Sequence, residues 1–148
     1  MKKHFPHIYF WITALIIILI GEFSHIFLNT ALDFNLHDTY YVIATRHLST
    51  TLSILYVLAG LIYWMLKKWN IKLYVVLTKT HTYVTIGVVF LYQTIISYYT
   101  FINPPNIFSN DNQQFLIATL IFSALVVQLF FIVNIIFSVI RHLKISKP

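Results

Sequence analysis

The residues of this chain that could carry chemistry are few, and they lie close together. Glu22 and His25 are three residues apart near the end of an apolar segment, so a helix there places both on one face. Ionisable groups inside a membrane segment are energetically costly and commonly mark a functional site. Two chemistries fit them: a hydrogen-bonded, proton-handling pair with His25 or Arg46 as the partner of Glu22, or part of a metal site.

A second polar group follows in the stretch 32–47. His37 and Asp38 add an imidazole and a carboxylate, and with Glu22 and His25 they offer nitrogen and oxygen ligands for one divalent cation. A di-iron bundle site is disfavoured, because it needs several glutamates and Glu22 is the only one in the chain. The alternatives of a single metal ion and of no metal both remain open.

Long apolar segments hold these residues in place. The 148-residue chain is 59% hydrophobic with a mean hydropathy of +0.78, too apolar for a soluble domain of this size. Four segments are long enough to cross a bilayer as helices. They predict an all-α, polytopic membrane protein in which residues 1–148 form a single four-helix domain. The predicted helices cover residues 8–30, 39–66, 73–102 and 114–140.

Local signals set the predicted helix ends. Lys2 and Lys3 before the first apolar run resemble a signal peptide, but the run is too long for one, so we predict a retained helix. Asp38 suits the N-cap of a second helix that begins at Thr39. The stretch 103–106, Asn-Pro-Pro-Asn, ends the third helix, since proline cannot continue the hydrogen-bond ladder.

The basic residues predict the orientation of the helices. Eight of the ten Lys and Arg residues fall on the face that holds both termini and the loop after the second helix. They are Lys2, Lys3, Lys67, Lys68, Lys72, Arg141, Lys144 and Lys147. Because cytoplasmic loops carry an excess of positive charge, both termini are predicted to be cytoplasmic and the stretch 32–47 to lie outside.

Composition excludes several classes of function. The chain has no cysteine, so disulfides, thiolate metal sites and cysteine nucleophiles are excluded. The net charge of +6 is explained by orientation in the bilayer, and no nucleic-acid motif accompanies it. His81, near the predicted start of the third helix, is interpreted as an interfacial residue.

The sequence from His37 to Ala44, His-Asp-Thr-Tyr-Tyr-Val-Ile-Ala, resembles subunit I of the haem-copper oxidases, the cytochrome c and quinol oxidases. That family enters its tenth helix with His-Asp-Thr-Tyr-Tyr-Val-Val-Ala-His-Phe-His. The similarity extends back through residues 28–33 and, more weakly, forward to Lys79-Thr80-His81. The chain therefore resembles the last four of the family's twelve helices, with the same in-and-out order.

The resemblance implies roles for individual residues. His37 and Asp38 match the pair that lies by the haem propionates and a non-redox magnesium. His47 matches an axial ligand of the low-spin haem, with His25 or the His47 of a second protomer as the opposite ligand. Thr45 stands where the family has the ligand of the high-spin haem, and Arg46 replaces a phenylalanine.

Three functions follow as expectations. The first is a truncated, non-catalytic relative of oxidase subunit I, an accessory subunit beside a respiratory electron-transfer complex in a bacterial inner membrane. The chain lacks the copper-binding helices of the family, so we do not expect oxidase activity. The second is a haem-binding redox or gas-sensing protein that uses His47. The third is metal or proton handling at Glu22 and His25. Expected partners are lipid, respiratory subunits or a second copy, with no nucleic acid.

Overall fold

The computed structural model describes residues 6–28, 31–36, 39–101 and 111–145. Within them the elements are α1 (Pro6–Leu28), β1 (Ala31–Leu36), β2 (Thr39–Ala44), α2 (Thr45–Lys68), α3 (Val75–Phe101) and α4 (Asp111–Ile145). All 4 helices are long and apolar enough to cross a membrane. The prediction of an all-α protein with four membrane-spanning helices is confirmed.

The chain forms two compact units, Met1–Trp69 and Asn70–Pro148. We call them unit 1, which contains α1, the β1–β2 hairpin and α2, and unit 2, which contains α3 and α4. Each unit buries one antiparallel helix–helix interface between neighbours in the sequence. Assembly of the two units into one four-helix domain stays a prediction, as does the cytoplasmic location of both termini.

In unit 1 the buried faces of α1 and α2 repeat at intervals of three or four residues. The positions in these stripes are His7, Phe10, Ala14, Ile17, Gly21 and Ser24 on α1, and Ser49, Ser53, Tyr56, Gly60, Tyr63 and Leu66 on α2, and Thr13 is buried beside the α1 stripe. This spacing, close to 3.5 residues, keeps one stripe of each helix against the other along their whole length. Many members are small, which is typical of close helix contacts in membranes.

Two glycines show how close the helices approach. A Cβ atom on Gly21 would overlap the side chain of Ser49, and one on Gly60 would overlap the indole of Trp11 and lie 3.3 Å from the carbonyl oxygen of His7. Lower in the interface, the ring of Phe10 stacks on Tyr63 with centroids 5.5 Å apart. Small residues therefore permit the close approach of the two helices, and aromatic rings pack beside them.

The prediction that the second helix begins at Thr39, with Asp38 as its N-cap, is wrong. Residues 39–44 form β2, which pairs antiparallel with β1 in a register that places Leu36 opposite Thr39 and Ala31 opposite Ala44. The helix α2 begins only at Thr45, after Ala44. The segment Thr39–Ile43 consists of β-branched and aromatic residues, which favour a strand once a partner strand is available. Asp38 itself lies outside the described residues.

The remaining helix ends differ from the prediction by a few residues. Trp69 donates its backbone N–H to the carbonyl oxygen of Met65 at the end of α2, and Asn70 follows with a φ of 56°. A left-handed residue just after a helix is a common terminator, and asparagine tolerates this conformation. The helix α4 continues five residues past its predicted end at Ile140, through Arg141 to Ile145.

Candidate functional site

The ionisable residues of unit 1 meet where α1 ends and α2 begins. The Nε atom of Arg46 donates a hydrogen bond to the Oε1 atom of Glu22 over 3.1 Å. The side chain of Arg46 is 54% exposed and that of Glu22 is 39% exposed, so solvent screens the pair. The predicted pairing of Glu22 with Arg46 is confirmed, and it ties the last turns of α1 to the first turn of α2.

The two histidines proposed as haem ligands flank this ion pair. His25 is half-buried, one turn after Glu22 on α1. His47 is exposed on the first turn of α2, next to Arg46. The carbonyl oxygen of Arg46 accepts hydrogen bonds from Ser49 Oγ at 3.0 Å and Thr50 Oγ1 at 2.8 Å. The start of α2 is therefore stabilised by side-chain hydrogen bonds, and the side chain of His47 is exposed there.

Of the four predicted metal ligands, the structure describes Glu22 and His25. His37 and Asp38 lie outside the described residues. Across residues 6–28, 31–36, 39–101 and 111–145, no group of three or more His, Cys, Asp or Glu side chains is arranged to hold a metal ion. The metal site built on Glu22, His25, His37 and Asp38 stays a prediction.

A second polar cluster, missed by the sequence reasoning, lies inside unit 2. On α3 the buried residues Thr78, His81, Thr82 and Thr85 recur at intervals of three and four, so they share one face. The buried face of α4 is apolar in its earlier turns and polar toward its end. Its buried members are Ile117, Val127, Phe131, Asn134 and Ser138. We call this buried polar interface the α3–α4 seam.

Asn134 is the central residue of the α3–α4 seam. It is 0% exposed and caps the start of α3 from a different helix. Its Oδ1 atom accepts the backbone N–H of Tyr74 at 3.0 Å, and its Nδ2 atom donates to Thr78 Oγ1 at 3.0 Å. The first N–H groups of a helix have no partner within the helix, so one amide side chain here satisfies backbone and side chain together.

His81 is also wholly buried, at 0% exposed. Its Nε2 atom lies 3.1 Å from Oε1 of Gln128, and its ring stacks on Phe131 with centroids 4.4 Å apart. The sequence reasoning did not foresee this burial between two helices; the interpretation of His81 as interfacial concerns its depth in the membrane and stays a prediction. The signal that could have found it is the spacing of Thr78, His81, Thr82 and Thr85, because a polar stripe on an apolar helix indicates a helix partner rather than lipid.

A third polar group lies at the end of unit 2 where α3 begins and α4 ends. An N–H group of the Arg141 guanidinium donates to the carbonyl oxygen of Lys72. The guanidinium carbon lies 4.6 Å from the ring centroid of Tyr74, a cation–π geometry. Lys72 and Tyr74 precede α3 and Arg141 lies in the last two turns of α4, so this contact joins the two helices at one end of the unit.

Comparison of the chain with protein-family models, with curated proteins and with solved structures found no match. The resemblance to oxidase subunit I therefore rests on the stretch around residues 37–47 and stays a proposal.

Proposed function

We propose that this chain is an accessory, non-catalytic membrane subunit that docks beside a respiratory electron-transfer complex in a bacterial inner membrane. The respiratory part of the proposal is supported by the resemblance of residues 37–47 to oxidase subunit I. The observation that carries the accessory role is that buried polar side chains form hydrogen bonds between neighbouring helices. Ser53 donates to the carbonyl oxygen of Ala14 at 3.0 Å, and Asn134 and His81 bond across the α3–α4 seam. Each joins two helices.

The β1–β2 hairpin is the element best suited to meet the larger complex. It forms a 2-stranded sheet within the described part of the chain, so each strand has one edge without a strand beside it. Such edges pair readily with an added strand. Tyr41 is 43% exposed and Val42 is 62% exposed, which adds apolar surface outside the helices. The α1–α2 pair that presents this hairpin is the docking unit of the proposal.

Mild-detergent co-purification tests the accessory role. We expect the tagged wild-type chain to carry subunits of a respiratory complex and Val42→Lys to lose them, because a charge is placed on the docking surface. Trp69→Lys is the matched control, since Trp69 is 55% exposed at the other end of α2. The proposal fails if the wild type carries no respiratory subunit, or if Val42→Lys carries as much as Trp69→Lys.

A second candidate function, haem binding, is favoured by the position of His47. An exposed imidazole on the first turn of α2 suits one axial ligand, and His25 on α1 supplies a half-buried second imidazole. The fit is partial, because a haem propionate needs a cationic partner. Arg46, the cation nearest to His47 in the sequence, is already paired with Glu22. Haem held here would supply one-electron redox chemistry, and the residues of this chain would supply only ligation and orientation.

A pyridine haemochrome assay on protein expressed with ample haem decides the second candidate. Haem binding predicts one haem per chain or per dimer, lost in His47→Ala and retained in His142→Ala, a control at an exposed histidine on α4. Absence of haem from the wild type removes this candidate and leaves the accessory role unaffected.

A further inference from the structure

The end of unit 2 near Lys72 holds an arginine in a fixed orientation. The Arg141 guanidinium is anchored twice, by its hydrogen bond to the Lys72 carbonyl oxygen and by its position over the Tyr74 ring. A guanidinium has five N–H donors, and the bond to Lys72 uses one of them. The anchoring therefore leaves the other N–H donors of the planar guanidinium in a fixed orientation at the surface of unit 2. We call these donors the Arg141 fork.

The charge around this fork is positive and has no acidic counterpart in the same unit. Lys72, His142 and Lys144 are all exposed at this end. In the sequence of residues 70–148 the only acidic residue is Asp111, at the first residue of α4 and thus at its far end. An uncompensated cluster of this kind attracts an anion from outside the protein.

The position along the helices puts the fork at a membrane boundary. The candidate span of α3 begins at Val75, directly after Tyr74, and that of α4 ends at Lys144, three residues after Arg141. Aromatic rings and cationic side chains are typical of the headgroup layer, where hydrocarbon gives way to water. Val75 and Val76, 54% and 75% exposed, add apolar surface on the hydrocarbon side of the fork.

We propose that Arg141, with Lys72 and Lys144 beside it, binds the phosphate of an anionic phospholipid headgroup. Arginine donates two parallel hydrogen bonds to a phosphate, whereas lysine acts as a point charge. Tyr74 positions the guanidinium, and the exposed Val75 and Val76 contact an acyl chain. The apolar neighbours select a lipid over free phosphate. The site is independent of any respiratory partner and needs only unit 2.

Native mass spectrometry of the detergent-solubilised full chain tests the site, with phosphatidylglycerol and phosphatidylcholine titrated separately. We expect the wild type to prefer phosphatidylglycerol and Arg141→Gln to weaken that binding about fivefold, the effect of removing one cation at a membrane surface. Arg141→Lys should weaken it by a smaller, still measurable factor, because the charge remains but the paired N–H donors of the guanidinium are lost. The matched control is Lys68→Gln, which removes an exposed cation whose Nζ atom lies 5.3 Å from the Trp64 ring centroid.

The Lys68→Gln control distinguishes lipid binding at Arg141 from the attraction of anionic lipid to any positive charge on the protein. Equal losses in Lys68→Gln and Arg141→Gln, or full binding in Arg141→Lys, mean that only net charge matters and overturn the proposal. Displacement of the lipid by inorganic phosphate at millimolar concentration would assign the site to free phosphate and overturn the lipid assignment. Circular dichroism and gel filtration of Arg141→Gln verify that the loss of binding is not a loss of fold.

Discussion

Several buried polar side chains of the described residues bond to backbone or side-chain groups of the neighbouring helix. Asn134 replaces the missing cap at the start of α3, and Ser53 reaches the backbone of α1 at Ala14. In hydrocarbon an unsatisfied polar group costs several kcal/mol, so such contacts specify which faces of the helices meet. The same logic explains why His81 is buried against Gln128 and Phe131 rather than exposed to lipid.

At Glu22 and Arg46 the expected energetic effect is small. In a double-mutant cycle with Glu22→Gln and Arg46→Gln, we predict a coupling of about 0.2–1 kcal/mol, because both side chains are partly exposed. The measurement is the free energy of unfolding of the four proteins in mixed micelles. A loss of divalent-metal binding or proton flux in Glu22→Gln, with the fold intact, would instead support the metal- or proton-handling function.

At the scale of elements, the α1–α2 pair depends on residues that have almost no side chain. Gly60→Ala should destabilise unit 1 by about 1–3 kcal/mol, since the added methyl group meets the Trp11 indole and the His7 backbone. Gly87→Ala is the control, because a Cβ there has nothing within 4 Å. Alanine in place of that glycine should stabilise α3 by up to about 1 kcal/mol. Thermal unfolding in detergent compares the two; equal effects would contradict the close packing.

The cap on α3 gives a second test at this scale. Asn134→Leu leaves the Tyr74 N–H and the buried Thr78 Oγ1 without their Asn134 partner, so we predict a loss of about 1–3 kcal/mol from the α3–α4 seam. Ser138→Ala should cost much less, because its bond to Asn134 is 3.4 Å long. Amide hydrogen exchange at Tyr74 reports the cap directly. Unchanged exchange in Asn134→Leu would show that the cap does not protect this N–H.

The sequence predicts the four helices better than it predicts the β1–β2 hairpin between α1 and α2 or the burial of polar residues within a helix pair. Apolar length alone identifies four spans, since only hydrocarbon thickness has to be matched. The apolar content of the segment Thr39–Ala44 is compatible with either a helix or a strand, and its strand pairing depends on β1. The burial of His81 depends on α4, which is 47 residues away at Gln128. The Glu22–Arg46 pair was predictable, because the two charges end and begin consecutive helices.

At the scale of the whole molecule, the orientation in the membrane is testable because the chain has no cysteine. Single cysteines at Ala31 and Lys68, both exposed, should react differently with a membrane-impermeant maleimide on intact spheroplasts. We predict that Ala31→Cys is labelled from outside and that Lys68→Cys is labelled only after permeabilisation. The reverse pattern would refute the orientation derived from the basic residues and place the hairpin in the cytoplasm.

The accessory role is tested most directly by photo-crosslinking in living cells, with p-benzoylphenylalanine at position 42 on the exposed face of β2. Position 69, also exposed but at the other end of α2, is the control. We predict a covalent adduct between position 42 and a subunit of a respiratory complex, identified by mass spectrometry, and none from position 69. If position 42 gives no adduct with a respiratory subunit while the chain is folded in the membrane, the proposed docking of this hairpin is wrong.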